Sequence, residues 1–143
     1  MLTLAIAITM TITSAFAGEE SVTPQILNAF KSEFVTAREV EWTISENYYR
    51  ADFTLNDQKV FAYYNTDGQF LGLTRFISTT QLPITLQTSL KKNYDSYWIT
   101  DLFEVANEEG TAYYITLENT ASKIVLKSNE RTSWSMYQKS KKI

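Results

Sequence analysis

The 143-residue chain contains no cysteine and no histidine. Without cysteine there is no disulfide scaffold, thiolate nucleophile, Cys-ligated zinc or lipoprotein anchor. Without histidine there is no Ser-His-Asp or Cys-His machinery and no imidazole metal site. Glycine occurs four times and proline twice, and no glycine-rich phosphate loop is present. Charge is also scarce in one place, since residues 1–17 carry none at all. What the chain does have is aromatic residues, 14% of the total, and a slight acidic excess, with a net charge of −3. That charge is too small to suggest nucleic acid or an anionic membrane as partner.

The uncharged opening reads MLTLAIAITMTITSAFA and is followed by Gly18-Glu19-Glu20. An apolar run closed by Ala15-Phe16-Ala17 ahead of charged residues has the form of an export signal cleaved after Ala17. The reading lacks one feature, a Lys or Arg near the start. A buried N-terminal element and a short membrane anchor are the alternatives. Seventeen residues, five of them Thr or Ser, are few for about 30 Å of hydrocarbon. Removal would leave 126 residues, periplasmic or secreted, with no stable membrane insertion. A chain of that length buries roughly two thirds of its unfolded surface, so it needs no disulfides.

Residues 18–143 read as one domain made of two repeats, about 21–77 and 81–138. Thr23-Pro24 opens a helix, with Thr23 as cap and Pro24 in the first turn. Ile26, Phe30 and Phe34 follow at helical spacing. From Val40 the period becomes two, and turns at Glu46-Asn47, Asn56-Asp57-Gln58 and Asn65-Thr66-Asp67-Gly68 divide four strands ending at Phe76. The second repeat opens at Leu82-Pro83, with Leu86, Leu90 and Tyr94 sixty residues after the first helix's apolar positions. Trp42 and Ile44 match Phe103 and Val105 at a spacing of 61. Tyr49, Ala51, Phe53, Val60, Ala62 and Phe70 match Tyr113, Ile115, Leu117, Ile124, Leu126 and Trp134 at 64. The fold class expected is α+β and two-layer. Duplicated units, each a helix plus a four-stranded antiparallel meander, would form one larger antiparallel sheet with helices on one face.

Val40-Glu41-Trp42, then Tyr49-Arg50-Ala51-Asp52-Phe53, then Val60-Phe61-Ala62-Tyr63-Tyr64 with Asp67-Gly68-Gln69-Phe70 form a recognisable series. The series resembles the PepSY-like, beta-lactamase-inhibitor-like family of exported proteins common in Bacteroidetes. The second half keeps the layout but has Ser128-Asn129-Glu130-Arg131 in place of the Asp-Gly turn. The resemblance implies helices on one face of a sheet. It carries no catalytic residue and no cofactor, and inhibition does not follow from a shared fold.

If these matched strand positions lie under the helices, the opposite face should be polar. Instead Tyr48, Phe61, Tyr63, Leu71 and Leu73 fall there beside Arg50 and Arg75, joined by Tyr114, Val125 and Tyr137. Aromatics together with Arg are the composition of protein interfaces. The reading is a non-enzymatic module that binds an unknown protein or peptide on this face, with Arg50 and Arg75 supplying charge-assisted bonds. Cross-strand pairing on an exposed sheet accounts for the same residues equally well. A small-ligand pocket between helix layer and sheet, or between the halves, is the alternative function.

Three weaker features have plain explanations. Glu39 and Glu41 suit a solvated strand edge. Asn65-Thr66-Asp67-Gly68 lacks the later ligands of a calcium loop and suits a hairpin, so no metal site is expected. Lys139-Ser140-Lys141-Lys142 suits a frayed terminus.

Overall fold

The computed structural model describes residues 16–142, so the expected leader lies outside the described residues except for its last two. Those two, Phe16–Ala17, form strand β1, paired antiparallel with Thr43 and Trp42. The described residues divide into two compact units, one ending at Leu73 and one starting at Thr74.

In the first unit a 3₁₀ turn, Glu19–Ser21, leads to helix α1, Pro24–Glu33. The cap works as the sequence implies: the Ile26 N–H donates to Thr23 Oγ1 at 3.4 Å, and Pro24 spends its missing N–H where no partner would exist. Strands β2 (Arg38–Ile44), β3 (Tyr48–Leu55), β4 (Gln58–Asn65) and β5 (Phe70–Phe76) then run as an antiparallel meander. Asn56 and Asp57 both have positive φ, 50° and 63°, which gives the tight two-residue hairpin its twist. At the β4–β5 turn the Asn65 side chain accepts from the backbone N–H groups of Asp67 and Gln69, and Gly68 supplies a φ of 88°.

Helix α1 lays Ile26 and Phe30 on Trp42, Ala51, Phe53, Val60, Ala62 and Tyr64, all buried. Phe30 sits at the centre, with ring centroids 5.3 Å from Phe34, 5.3 Å from Trp42 and 5.0 Å from Phe53. Such tilted and edge-on contacts add to simple area burial. Tyr64 shares this interior. Burial, assisted by the Glu33 charge, pushes its phenol up to about 12.

The second unit has the same element order. Strand β5 crosses the division, with Thr74–Phe76 in the second unit. A 3₁₀ turn at Thr79–Gln81 carries a reciprocal cap between Ser78 and Gln81. Helix α2, Ile84–Asn93, lies sixty residues after α1. Strands β6 (Trp98–Asn107), β7 (Gly110–Glu118), β8 (Ser122–Asn129) and β9 (Ser133–Lys141) complete a second antiparallel meander. Leu82, Leu86, Leu102, Tyr113, Ile115, Leu117, Ile124 and Leu126 form its core. Trp134 packs against that core and donates its indole N–H to the Leu86 carbonyl at 3.1 Å. Each unit is thus a helix packed on an antiparallel meander, which is the expected α+β class.

Two expectations are corrected. Phe103 and Val105 do not lie under a helix. Leu102 pairs with Ile115 of the core, so Phe103, opposite Tyr114, and Val105, opposite Ala112, face the other way. The sixty-residue spacing of the helices continues into β6, so Leu102 takes the place of Trp42 and Glu104 that of Ile44. A matching of 61 puts two apolar residues inside by character, and a slip of one residue turns every side chain to the other face. The second correction concerns the basic tail, which is not frayed. Lys139 and Lys141 belong to β9, paired with Ile124 and Ser122. Lys142 reaches Glu118 at 3.1 Å and lies 4.6 Å from the Trp98 ring centroid.

Candidate functional site

The helix-free face of the first unit is built by β3 and β4. Their register places Tyr48 opposite Asn65, Arg50 opposite Tyr63 and Asp52 opposite Phe61. Alternation therefore brings Tyr48, Arg50, Phe61 and Tyr63 together on the side away from α1, as expected. All four are half-buried. The Tyr48 and Tyr63 rings lie 5.5 Å apart, and the Arg50 guanidinium stands 5.2 Å from the Phe61 ring centroid.

Arg50 is held by a two-pronged pair. Its Nε donates to Asp52 Oδ1 at 2.6 Å and its Nη2 to Oδ2 at 3.0 Å. Asp52 is buried and so is Thr43 beside it, opposite Arg50 in β2. Burial alone would lower the guanidinium pKa. The hydrogen bonds and charge of Asp52, with Tyr63 alongside, outweigh this and hold it above its ordinary value. The cation is fixed in place, flanked by aromatic rings. Such an arrangement can recognise a carboxylate or a carbonyl edge and bury an apolar side chain.

The other expected residues are not part of this group. Leu73 packs against the first core, on the helix side. Arg75 donates from Nε and Nη2 to Glu104 at 3.1 and 3.2 Å, and Glu104 lies opposite the core residue Tyr113. That hydrogen bond raises the Arg75 pKa against its partial desolvation. Leu71 is half-buried in β5.

In the second unit Tyr114 and Val125 do face away from α2, but both are buried. Tyr114 is enclosed by a stacked Phe103 at 5.2 Å, the edge of Tyr137 at 5.3 Å and the Lys127 ammonium at 5.6 Å. Tyr137 alone of these three is exposed. The Tyr114 ring is therefore enclosed by its own neighbours. Sequence reasoning missed Phe103 because it assigned that ring to the core.

Glu39 and Glu41 are both exposed on β2, at an irregularity where Glu39 takes a φ of 57°. Among the described residues no group of three Asp or Glu could hold a metal ion. The Asn65–Gly68 segment is the hairpin expected.

A separate feature lies at the edge of the first unit. A pocket of about 580 Å³ opens between α1 and β2, over Phe30, Phe34 and Trp42. A smaller one of about 250 Å³ lies beside α2, lined by Leu90, Tyr94 and Tyr97. The sequence offered a pocket of this kind only in outline. The signal that locates it is Val35, an aliphatic residue just past the helix end that stays 80% exposed.

Solved structures give the fold its context. A BLIP-like protein from Bacteroides fragilis NCTC 9343 superposes with a TM-score of 0.71 at 20% identity, over 83% of this chain and 85% of its own. The chain has the BLIP-like fold. A DUF2874 family protein from Bacteroides uniformis ATCC 8492 matches with a TM-score of 0.72 at 15% identity, over 84% of this chain and 89% of that one. A protein from Bacteroides eggerthii DSM 20697, described as a proposed periplasmic protein, matches with 0.72 at 14% over 84% and 88%. No protein-family model and no curated protein matches the sequence. At these identities the likeness to the solved structures is one of fold. It agrees with the beta-lactamase-inhibitor-like resemblance carried by the Trp42 and Tyr49-Ala51-Phe53 motifs.

Proposed function

We propose that the chain is an exported, non-enzymatic module that binds a protein or peptide through Tyr48, Arg50, Phe61 and Tyr63. One observation carries the reading: three half-exposed rings surround a guanidinium already locked by Asp52. Side chains held in place before binding lose little entropy on contact, and Tyr and Arg dominate interface energetics. The absence of His and Cys supports a binding role over catalysis, as does a fold shared with a protein described as BLIP-like. Export is supported by the uncharged start ending in Ala15-Phe16-Ala17 and by the periplasmic description of the Bacteroides eggerthii neighbour. No helix among the described residues is long and apolar enough to cross a membrane. The two units read as copies of one ancestral unit. Their helices stand sixty residues apart, and matching backbone turns follow: Ala37 N–H to Phe34 O and Tyr97 N–H to Tyr94 O, both 3.1 Å.

The test uses a photoreactive benzoylphenylalanine placed at Tyr63, with Thr88 on exposed α2 as control. In periplasmic extract the Tyr63 position should yield a discrete crosslinked partner that the Thr88 position does not. The same crosslinks from both positions would remove this face from the account.

A further inference from the structure

We infer that the pocket between α1 and β2 binds a small neutral aromatic molecule, of about the size of a phenol or an indole. This site is separate from the helix-free face. Its volume of about 580 Å³ falls within the range of small-molecule sites, about 300–1,000 Å³. Phe30, Phe34 and Trp42 form an apolar aromatic floor. Leu27, Ala37 and Val40 form the sides.

The second unit shows what this place accepts. Its smaller pocket is lined by Gln87, Leu90, Tyr94 and Tyr97, each sixty residues after Leu27, Phe30, Phe34 and Ala37. The backbone turn is the same in both, so the difference lies in the side chains. Where the first unit has the methyl of Ala37, the second has the ring of Tyr97. That ring stands edge-on to Tyr94, with centroids 5.9 Å apart, and packs against the second core. The chain's own aromatic ring occupies space that the first unit leaves open. An aromatic ring from outside can make the corresponding edge contact with Phe34.

The rim points to a neutral ligand. Val35 is 80% exposed beside the floor, where the second unit has Asp95. Of the charged lining residues, Lys31 and Glu19 form an ion pair with each other at 2.5 Å. Glu41 remains, and its charge opposes an acid.

The test is an NMR titration of the full chain with indole, p-cresol and indole-3-carboxylate. It follows the backbone amides of Val35 and Ala37 and the Trp42 indole N–H. Ala37→Tyr and Val35→Asp each install the residue that the second unit carries. Wild type should bind indole and p-cresol saturably, one to one, with Kd below about 1 mM, and with shifts centred on residues 34–42. Ala37→Tyr should weaken binding at least tenfold while the melting temperature holds. Val35→Asp should weaken it less, and the carboxylate should bind wild type more weakly than indole. Absence of saturable binding by wild type overturns the inference, as do shifts centred elsewhere or a folded Ala37→Tyr that binds like wild type. Equal binding of the carboxylate overturns the neutral class. Should Ala37→Tyr fail to fold, undiminished binding by Val35→Asp overturns the inference alone, since that residue is exposed.

Discussion

Arg50 and Asp52 set the chemistry of the helix-free face at the scale of single residues. Three-quarters of the Arg50 side chain and nearly all of Asp52 are withdrawn from solvent, so each charge depends on the other, with Tyr63 adding a hydrogen bond to Arg50. Asp52→Ala should cost about 1–3 kcal/mol in urea unfolding, because it strands a partly buried guanidinium. Arg50→Met combined with Asp52→Leu should cost less than Asp52→Ala alone, since no unpaired charge remains. Tyr64 makes a different test. Its pKa is raised from 10.0 to about 12, so the folded state holds the proton more tightly than the unfolded state. The stability this supplies is complete below pH 10 and is lost as pH rises towards 12. Wild type should therefore lose stability between pH 9 and pH 11.5 more steeply than Tyr64→Phe, measured by denaturant midpoint at each pH.

At the scale of elements, α1 and its aromatic cluster hold the first unit. Phe30 touches Phe34, Trp42 and Phe53 and is buried. Phe30→Ala should destabilise by about 3–5 kcal/mol, read from the denaturant midpoint. Both helices, the eight strands of the two meanders and most turns were legible in sequence. The cap at Thr23-Pro24, the Asn65–Gly68 turn and the two-residue alternation are local signals, and local signals survive folding. Register was not legible in β6. Phe103 and Leu102 are both apolar, and the strand has an irregularity between Ile99 and Asp101, so the pattern alone fits either face. In β5, Leu73 packs on the helix side and Arg75 bonds Glu104, so neither joins the helix-free face. Leu102→Ala should thus cost about 2–5 kcal/mol, as a core leucine does. The terminal strand was undervalued because Lys-rich composition hides pairing that is made by the backbone.

At the scale of the whole molecule, two units of one element order carry different surfaces. The first leaves Tyr48, Phe61 and Tyr63 half-exposed around a fixed Arg50, and leaves room at Ala37. The second stacks Phe103 on Tyr114 and sets Tyr97 where that room would be. Four of the ten residues singled out from sequence form the proposed site: Tyr48, Arg50, Phe61 and Tyr63. They were found because strand alternation is strict within β3 and β4. Leu73 and Arg75 instead lie on the helix side, and Tyr114, although it faces away from α2, is enclosed by Phe103 and Tyr137, which no periodicity records. Binding is assigned to the helix-free face of β3 and β4. The most direct measurement is the affinity of the partner crosslinked at Tyr63 for wild type and for Phe61→Ala/Tyr63→Ala, by calorimetry on folded proteins. The double variant should lose about tenfold or more in affinity. Equal affinity of the two proteins, with equal melting temperatures, would contradict it.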